Sequence, residues 1–237
     1  MNQNTSEPQA LYKYKSISGN SLDYFLDVIY NHRLFAPKVS DLNDPFEGFQ
    51  LLPDGMQYAG ISYYSGTPIP YGVMQSELER YRVISLTENL DNPLMWIHYA
   101  DNFTGACIGF HKNPVFNDAF KISYYKNLTK HTYQDVESAK KLFRDGLSQK
   151  WIGWNYEKEW RYILETDHTF LEFDKKQISK ICLGYKMKPN IRKAISSICK
   201  NEGYSVSIAY VDPYSCNVEI IDSDEYEKRL KERRLNI

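Results

Sequence analysis

The sequence has no excess of charge of either sign. Its 29 lysine and arginine residues are matched by 30 aspartate and glutamate residues, so the 237-residue chain has a net charge of -1. A nearly neutral chain generates no overall field that would concentrate a polyanion at its surface. Nucleic-acid binding is therefore expected only through a local patch.

Long apolar segments are also missing. The N-terminal segment MNQNTSEPQA lacks the apolar core of a signal peptide. No stretch approaches the roughly 18 apolar residues that a membrane-spanning helix needs. We therefore predict a cytoplasmic protein without a membrane partner, and we predict that residues 1–10 form a disordered tail.

Cysteine is scarce and forms no motif. There is no C-x-x-C pair, and no cysteine and histidine stand at metal-ligand spacing. The first three cysteines lie among apolar neighbours. We predict buried free thiols at Cys107, Cys182, Cys199 and Cys216.

Familiar catalytic motifs are absent as well. No serine stands in a G-x-S-x-G setting, no cysteine is placed beside a histidine as a nucleophile, and there is no G-x-G-x-x-G loop. Covalent hydrolysis, classical dehydrogenases and P-loop enzymes are therefore unsupported. Metal ligands could come from Asp44, Glu47 or His98, but no metal-binding spacing accompanies them, and we assign no metal.

Apolar and aromatic residues, in contrast, are plentiful. The chain is 42% hydrophobic and 15% aromatic, which is ample for a packed core, and it contains 20 tyrosines. Tyrosine joins a flat apolar ring to a polar tip, so it suits half-wet clefts and interfaces. Ordinary sheet faces are the commoner place for it.

Helix and strand patterns interleave along the chain. Predicted helices run from Ser21 to about Asn31, from Asn92 to Tyr99, from Asp135 to about Lys150, from Pro189 to Lys200, and at the C-terminus. Predicted strands are Leu11 to Ser16, Arg33 to Pro37, Tyr81 to Thr87, Gly105 to His111, Phe120 to Tyr125, Ile178 to Gly184, Val206 to Tyr210 and Val218 to Ile221. Glu159 to Glu165 and Phe170 to Phe173 read as a hairpin, and Leu52 to Gly72 as a loop long enough to be a lid. We predict one α+β domain over residues 11–237, with a mixed or antiparallel split sheet flanked by helices.

The segment YEKEWR (Tyr156 to Arg161) is the first candidate site. Two glutamates two apart on a strand, Glu157 and Glu159, would point to one face. Paired like charges raise the pKa of one carboxyl group and suit it to acid–base work. The alternative is a salt bridge between a glutamate and Arg161 at the end of a strand, which taken alone is the commoner arrangement.

The segment from Ser85 to Phe110 is the second candidate. It places Trp96, His98 and Tyr99 on one short helix between two buried strands. His98 could titrate near neutral pH and act as a base, or it could be a packed structural histidine. Gly105 and Gly109 would allow a ligand or a neighbouring backbone to approach closely, or mark a bulge.

The turn NDPFEG is the third candidate. Asn43, Asp44 and Pro45 favour a tight turn whose carboxylates cap backbone amides. Phe46 could instead lie over a ligand. The turn therefore has both a structural and a binding interpretation.

In these motifs and their order, the chain resembles the bacterial family catalogued as domain of unknown function 2971. The motifs are LYKYKS, NDPFEG, SLTE, MWIHYAD, GACIGF, YEKEWR and the strand ending at Gly184. They extend over nearly the whole chain. The family name itself implies no activity.

A second resemblance is to ADP-ribosyltransferases, which have an early basic or aromatic residue, a serine-containing strand followed by a helix, and a late glutamate. The corresponding residues are Tyr12, Lys13 and Tyr14, then Ser85, Thr87 and the helix to Tyr99, then Glu157 or Glu159. Lys13 stands where histidine or arginine is usual. The resemblance implies that tyrosine stacks on nicotinamide, that the early residue holds the adenine-side ribose, and that glutamate bonds the nicotinamide ribose.

Three functions follow as hypotheses. The first is an ADP-ribosyltransferase-like enzyme that uses NAD as a substrate, with Glu159 or Glu157 catalytic and with Tyr99 and Tyr14 lining the pocket. It would be a toxin or phage-defence effector with a macromolecular or small-molecule acceptor. The second is a non-catalytic module in which the tyrosine-rich region from Tyr58 to Tyr81 recognises a peptide, nucleotide or nucleic acid. The third is a metal-dependent nuclease using Asp44, Glu47 and Glu159. Candidate binding residues beyond those of the enzyme motifs are Trp96, His98, Asn43, Asp44, Phe46 and Arg161.

Overall fold

The computed structural model describes residues 7–44, 57–58, 61–62, 80–127, 144–165, 168–212 and 217–235. The helices of these residues are α1 (Ser21–Asn31), α2 (Pro93–Tyr99), α3 (Pro189–Asn201) and α4 (Ser223–Leu235), and short 3-10 helices cover Val39–Asp41, Ile152–Glu157 and Lys175–Gln177. Residues 144–146 are helical as well. The strands are β1 (Ala10–Lys15), β2 (Arg33–Phe35), β3 (Gln57–Tyr58), β4 (Ile61–Ser62), β5 (Tyr81–Thr87), β6 (Ala106–His111), β7 (Phe120–Lys121), β8 (Ser123–Tyr125), β9 (Gln149–Trp151), β10 (Glu159–Glu165), β11 (Phe170–Glu172), β12 (Ile178–Gly184), β13 (Val206–Asp212) and β14 (Asn217–Asp222).

Elements with a strong local pattern occur where they were predicted. The strands β5 and β12 have the predicted bounds, and α1 buries Phe25, Val28 and Ile29. The side chain of Asn92 caps α2 by accepting a hydrogen bond from the backbone N–H of Leu94 at 2.9 Å, as expected for an Asn-Pro start. The predicted α+β class is confirmed.

The predicted single strand from Phe120 to Tyr125 is wrong, because its backbone changes partner in the middle. The N–H of Ile122 donates to the carbonyl of Glu159 at 2.9 Å, whereas the N–H of Ser123 donates to the carbonyl of Ser148 at 2.8 Å. As a result β7 pairs with β10, while β8 pairs with β9. The predicted end of the helix from Asp135 to Lys150 is also wrong, because Gln149–Trp151 forms the strand β9, which pairs with β8.

The predicted hairpin of β10 and β11 is also wrong. The strand β11 pairs with β2, and β10 lies between β5 and β7. The ring of Phe35 meets the ring of Phe170 edge-on at 5.9 Å where β2 and β11 pair. Of the predicted loop from Leu52 to Gly72, only the antiparallel pair β3 and β4 lies within the described residues. Most of the predicted helix from Asp135 also lies outside them.

The chain divides into two compact units. The first comprises Met1–Leu34, Leu86–Asp118 and Glu172–Ile237, and the second comprises Phe35–Ser85 and Ala119–Leu171. The domain predicted over residues 11–237 stays a prediction. Residues 1–6 of the predicted tail lie outside the described residues, whereas Glu7 forms an ion pair with Lys112 and Ala10 opens β1.

The first unit contains a mostly antiparallel sheet. Its strands lie in the order β14, β13, β12, β6, β1, and only the pair β12 and β13 is parallel among these described strands. The central strand β6 buries Ala106, Cys107, Ile108 and Phe110 completely. The free thiols predicted at Cys107, Cys182 and Cys199 are buried as expected, while Cys216 lies outside the described residues.

Close backbone contacts explain why glycine is required at position 105, one of the two strand glycines considered in the sequence. A Cβ atom on Gly105 would lie 2.3 Å from the carbonyl oxygen of Lys15. Likewise, a Cβ atom on Gly184 would lie 2.1 Å from the carbonyl oxygen of Phe103. Gly105 therefore allows a neighbouring backbone to approach, which was one of the two alternatives considered for it.

The second unit contains β7, β10 and the larger part of β5. These strands lie in the order β5, β10, β7, and β7 is antiparallel to β10. Beside them β8 and β9 form a parallel pair that leads into the 3-10 helix Ile152–Glu157. This arrangement brings the start of β10 close to β9, where the candidate site lies.

Candidate functional site

A cluster of buried charged side chains forms where β9, the 3-10 helix and β10 meet in the second unit. We call Lys150, Glu157, Glu159 and Arg161 the buried charge cluster. None of the four is more than 4% exposed. Charged side chains are almost never buried to this extent unless they are paired, so their partners decide what the cluster can do.

The two glutamates come together by a different route from the predicted one. Glu157 ends the 3-10 helix and Glu159 opens β10, so they do not share a strand face. Between them Lys158 adopts a left-handed conformation with φ 43°, and its side chain is exposed. The convergence of the carboxylates therefore comes from this tight turn and from a shared cation.

That shared cation is Lys150. Its Nζ donates to Oε2 of Glu157 at 2.7 Å and to Oε2 of Glu159 at 3.1 Å. The same Nζ lies 5.2 Å from the centre of the Trp154 ring, within the range of a cation–π contact. A lysine between two carboxylates offsets the repulsion that the like charges would otherwise have.

Arg161 holds the other side of Glu159. Its Nε donates to Oε1 of Glu159 at 2.8 Å and its Nη2 donates to Oε2 at 3.1 Å, which is a bidentate pair. Its Nη1 donates to the carbonyl of Leu147 at 2.9 Å. The side chain is 0% exposed. The salt bridge at the strand end, which the sequence left open, is therefore present.

Glu159 also accepts a hydrogen bond from the side chain of Ser85. Burial of the carboxyl group opposes its ionisation, but the charges of Arg161 and Lys150 and the hydrogen bonds from Arg161 and Ser85 outweigh burial and lower the pKa of Glu159 to about 2. The raised carboxyl pKa predicted from paired glutamates is therefore wrong for Glu159. With two cations and two carboxylates, the cluster is formally neutral and Glu159 is ionised.

Aromatic side chains adjoin the cluster. The hydroxyl oxygen of Tyr124 accepts a hydrogen bond from the N–H of Glu159 at 2.8 Å. The Nζ of Lys150 lies over the Trp154 ring, and the centre of the Tyr156 ring lies 6.2 Å from the centre of the Trp154 ring. Tyr124 and Trp154, like Lys150, were not among the predicted site residues. The signal that could have found them is the density of aromatic residues on each side of Lys150 in YYKN and WIGWNY.

In the first unit, Tyr14 and Trp96 form a packed pair. Their rings meet edge-on at 5.1 Å, and the Tyr14 hydroxyl donates to the carbonyl of Asn89 at 3.0 Å. Burial, followed by the neighbouring Cys107, raises the pKa of Tyr14. Thr87 is buried too, and its hydroxyl oxygen accepts from the N–H of Asn89 at 3.0 Å. These residues shape the turn after β5.

The short helix α2 divides its three candidate residues between core and surface. Trp96 is completely buried, and its Nε1 donates to the carbonyl of Leu90 at 2.8 Å. His98 is exposed and Tyr99 is half-buried, with their rings 6.4 Å apart. The helix therefore turns the His98 side chain to the surface, beside Tyr99, and buries Trp96 in the core.

The remaining candidates lie at separate places within their units. Tyr12 and Lys13 are half-buried on β1, opposite Gly109 and Ile108 of β6. In the second unit Asp44 is 4% exposed while Asn43 is exposed. Phe46 lies outside the described residues, as does Glu47.

The sheet and cluster define an α+β protein with a buried, ionised glutamate. Residues 95–162 match the model of a family described as Protein of unknown function (DUF2971). The match confirms the predicted family resemblance over a segment that begins in α2 and ends in β10. It includes the whole buried charge cluster, whereas Ser85 precedes it. Among the curated proteins and the solved structures there is no significant match. Among the described residues, no helix has the length and apolar character to cross a membrane.

Proposed function

We propose that this chain is an NAD-using, ADP-ribosyltransferase-like enzyme, with Glu159 as the carboxylate that contacts the nicotinamide ribose. The observation that carries the proposal is the hydrogen bond from Ser85 on β5 to Glu159 on β10. A serine-containing strand and a late glutamate are two of the three motifs in which the sequence resembles those enzymes. In the second unit these two motifs lie on neighbouring strands.

The chemistry needs an ionised carboxylate. In ADP-ribosyl transfer the bond between ribose and nicotinamide breaks, and nicotinamide leaves with the electron pair. Positive charge then develops on the ribose until the nucleophile of the acceptor forms the new bond and releases its proton. A fixed negative charge beside the ribose stabilises that state. With its pKa lowered to about 2, Glu159 carries this charge at neutral pH.

The hydrogen bonds of Glu159 indicate where the substrate would bind. A carboxylate has about four acceptor positions. In Glu159 they are taken by two donors of Arg161, by Lys150 and by Ser85. Ser85 is the neutral donor among these. A ribose hydroxyl could therefore take its place by donating an equivalent neutral hydrogen bond to Glu159. Arg161 and Lys150 would keep the carboxylate in place.

The biological setting belongs to the same proposal. We place the enzyme in the cytoplasm, as a toxin or phage-defence effector whose acceptor is a macromolecule or a small molecule. The aromatic residues beside the cluster, Tyr124, Trp154 and Tyr156, would supply a stacking surface for nicotinamide.

A second candidate function is a non-catalytic binding module. It is favoured by the complete burial of Arg161 and by the filled acceptor positions of Glu159, which are also what a purely structural cluster would have. In that case the ligand, a peptide, nucleotide or nucleic acid, binds elsewhere. Replacement of Glu159 would then lower stability while leaving ligand affinity nearly unchanged.

Incubation with labelled NAD and total cell macromolecules separates the two candidates. We expect label transfer or NAD loss with the parent protein, and a large reduction with Glu159→Gln and with Ser85→Ala at a temperature where each variant is folded. Glu165→Gln is the matched control, because Glu165 ends the same strand at the surface and pairs with Arg80. Absence of label transfer and of NAD loss in the parent, with Glu159→Gln indistinguishable from it, would refute the enzyme.

A further inference from the structure

A cavity in the first unit lies between α3 and α4, with Ile208 of β13 in its wall. Its volume is about 250 Å³. One water molecule occupies roughly 30 Å³ in the liquid, so the cavity has room for one small organic molecule. None of its lining residues takes part in the proposed enzyme site.

Two ion pairs cross from α3 to α4 along this cavity. Arg192 contacts Glu227 at 2.9 Å, and Lys200 contacts Asp224 at 2.6 Å. The two cations are separated by about two turns of helix, or roughly 12 Å. The wall formed by α3 is therefore basic, and the wall formed by α4 is acidic.

The two ion pairs differ in how firmly they are held. Arg192 is buried, donates to the carbonyl of Met187 at 3.1 Å and lies 5.2 Å from the Tyr226 ring centre. The side chains of Lys200 and Asp224 are 37% and 83% exposed. An exposed ion pair contributes little to stability. Lys200 and Asp224 can therefore give up their contact with each other, and each can pair with a ligand instead.

Ser223 supplies an independent sign of a ligand. It lines the cavity, is 4% exposed, and its Oγ has no hydrogen-bond partner. Buried hydroxyl groups are normally paired, because an unpaired one has lost its hydration without compensation. A polar group of a bound molecule would supply the missing hydrogen-bond partner of this hydroxyl group.

We propose that the cavity binds a small zwitterion of amino-acid size. Its carboxylate would face Lys193 and Lys200, its ammonium group would face Asp224, and one polar atom would pair with Ser223. A simple anion would meet Asp224 and Glu227, a simple cation would meet the lysines, and a neutral sugar would leave both charged walls without a ligand charge. Only a ligand with both charges matches both walls.

Thermal unfolding of the full chain tests this site. The probes are the common amino acids, each added alone, with inorganic phosphate and glucose as the anionic and neutral alternatives. A ligand that binds the folded state raises the midpoint temperature by an amount that grows with the logarithm of one plus the ratio of ligand concentration to Kd. We expect at least one amino acid to do so, and neither phosphate nor glucose.

Two variants and one control make the outcome specific. Ser223→Ala should weaken the Kd of that amino acid about tenfold while leaving the ligand-free midpoint unchanged or higher, because Oγ has no partner to lose. Asp224→Asn, at an exposed position, should weaken it similarly, and the exposed Ser205→Ala should not. The proposal is overturned if no amino acid stabilises the protein, if phosphate or glucose alone does, or if both Ser223→Ala and Asp224→Asn bind like the parent.

Discussion

Removal of one carboxylate from the buried charge cluster should cost most at Glu159, which forms a bidentate ion pair with Arg161. Arg161 is 0% exposed and keeps its proton at any accessible pH, so Glu159→Gln replaces the charged partner of its bidentate pair with a neutral amide. Breaking a buried ion pair in this way typically costs about 3–5 kcal/mol. We expect that loss for Glu159→Gln in the free energy of unfolding.

Glu157→Gln provides an internal scale for this prediction. It removes one carboxylate from Lys150, which keeps its contact with Glu159 at 3.1 Å. The expected cost is that of one charged hydrogen bond, about 1.5–3 kcal/mol. Glu165→Gln removes an exposed ion pair with Arg80, for which we expect about 0–1 kcal/mol.

Urea unfolding at pH 7, followed by far-ultraviolet circular dichroism, measures all three variants against the parent. The comparison is valid where the variants share one m-value. The expected order of cost is Glu159→Gln, then Glu157→Gln, then Glu165→Gln. A cost for Glu159→Gln no larger than that of Glu165→Gln would refute the assignment of Glu159 as the counter-charge of Arg161.

Three further predictions concern pH and packing. The pKa of Glu159 is lowered from 4.5 to about 2, so its contribution to the free energy of unfolding is complete above pH about 4.5 and is lost as the pH falls towards 2. This contribution is roughly 3 kcal/mol, and acid titration should show its loss in the parent but not in Glu159→Gln. Equal acid sensitivity of the two proteins would contradict the lowered pKa. Gly184→Ala should destabilise by at least about 2 kcal/mol in urea unfolding, because its Cβ would lie 2.1 Å from the carbonyl oxygen of Phe103; a neutral effect would mean that this contact is not tight. Trp96→Ala should cost about 3–5 kcal/mol, whereas the exposed His98→Ala should cost under about 0.5 kcal/mol, and similar midpoints for the two in thermal unfolding would contradict the burial difference.

Local patterns predicted those parts of the fold that local interactions determine. The apolar face of α1, the Asn-Pro start of α2 and the bounds of β5 and β12 follow from periodicity and capping within a few residues. The pairing of β11 with β2 did not follow. It joins segments more than a hundred residues apart, and a hairpin with the nearby β10 satisfies the same local pattern.

The candidate site was predicted in its location and missed in its electrostatics. YEKEWR contains Glu157, Glu159 and Arg161, which are three of the four residues of the buried charge cluster. The second cation of the cluster, Lys150, stands in a segment whose pattern predicted the end of a helix, and its strand β9 exists through pairing with β8. The sequence predicted a raised carboxyl pKa from the like charges of the paired glutamates, whereas in the structure the charge of Arg161, followed by that of Lys150, lowers the pKa of Glu159.

Release of nicotinamide from NAD is the measurement that tests the role of Glu159 most directly. It should be followed over time for the parent, Glu159→Gln and Glu165→Gln, at a temperature where circular dichroism shows all three folded. If the ionised carboxylate stabilises the developing charge on the ribose, Glu159→Gln should lower the rate by about 100-fold or more while Glu165→Gln retains the rate of the parent. Release by Glu159→Gln at the same rate as by Glu165→Gln, or no release by the parent, would contradict the proposed function.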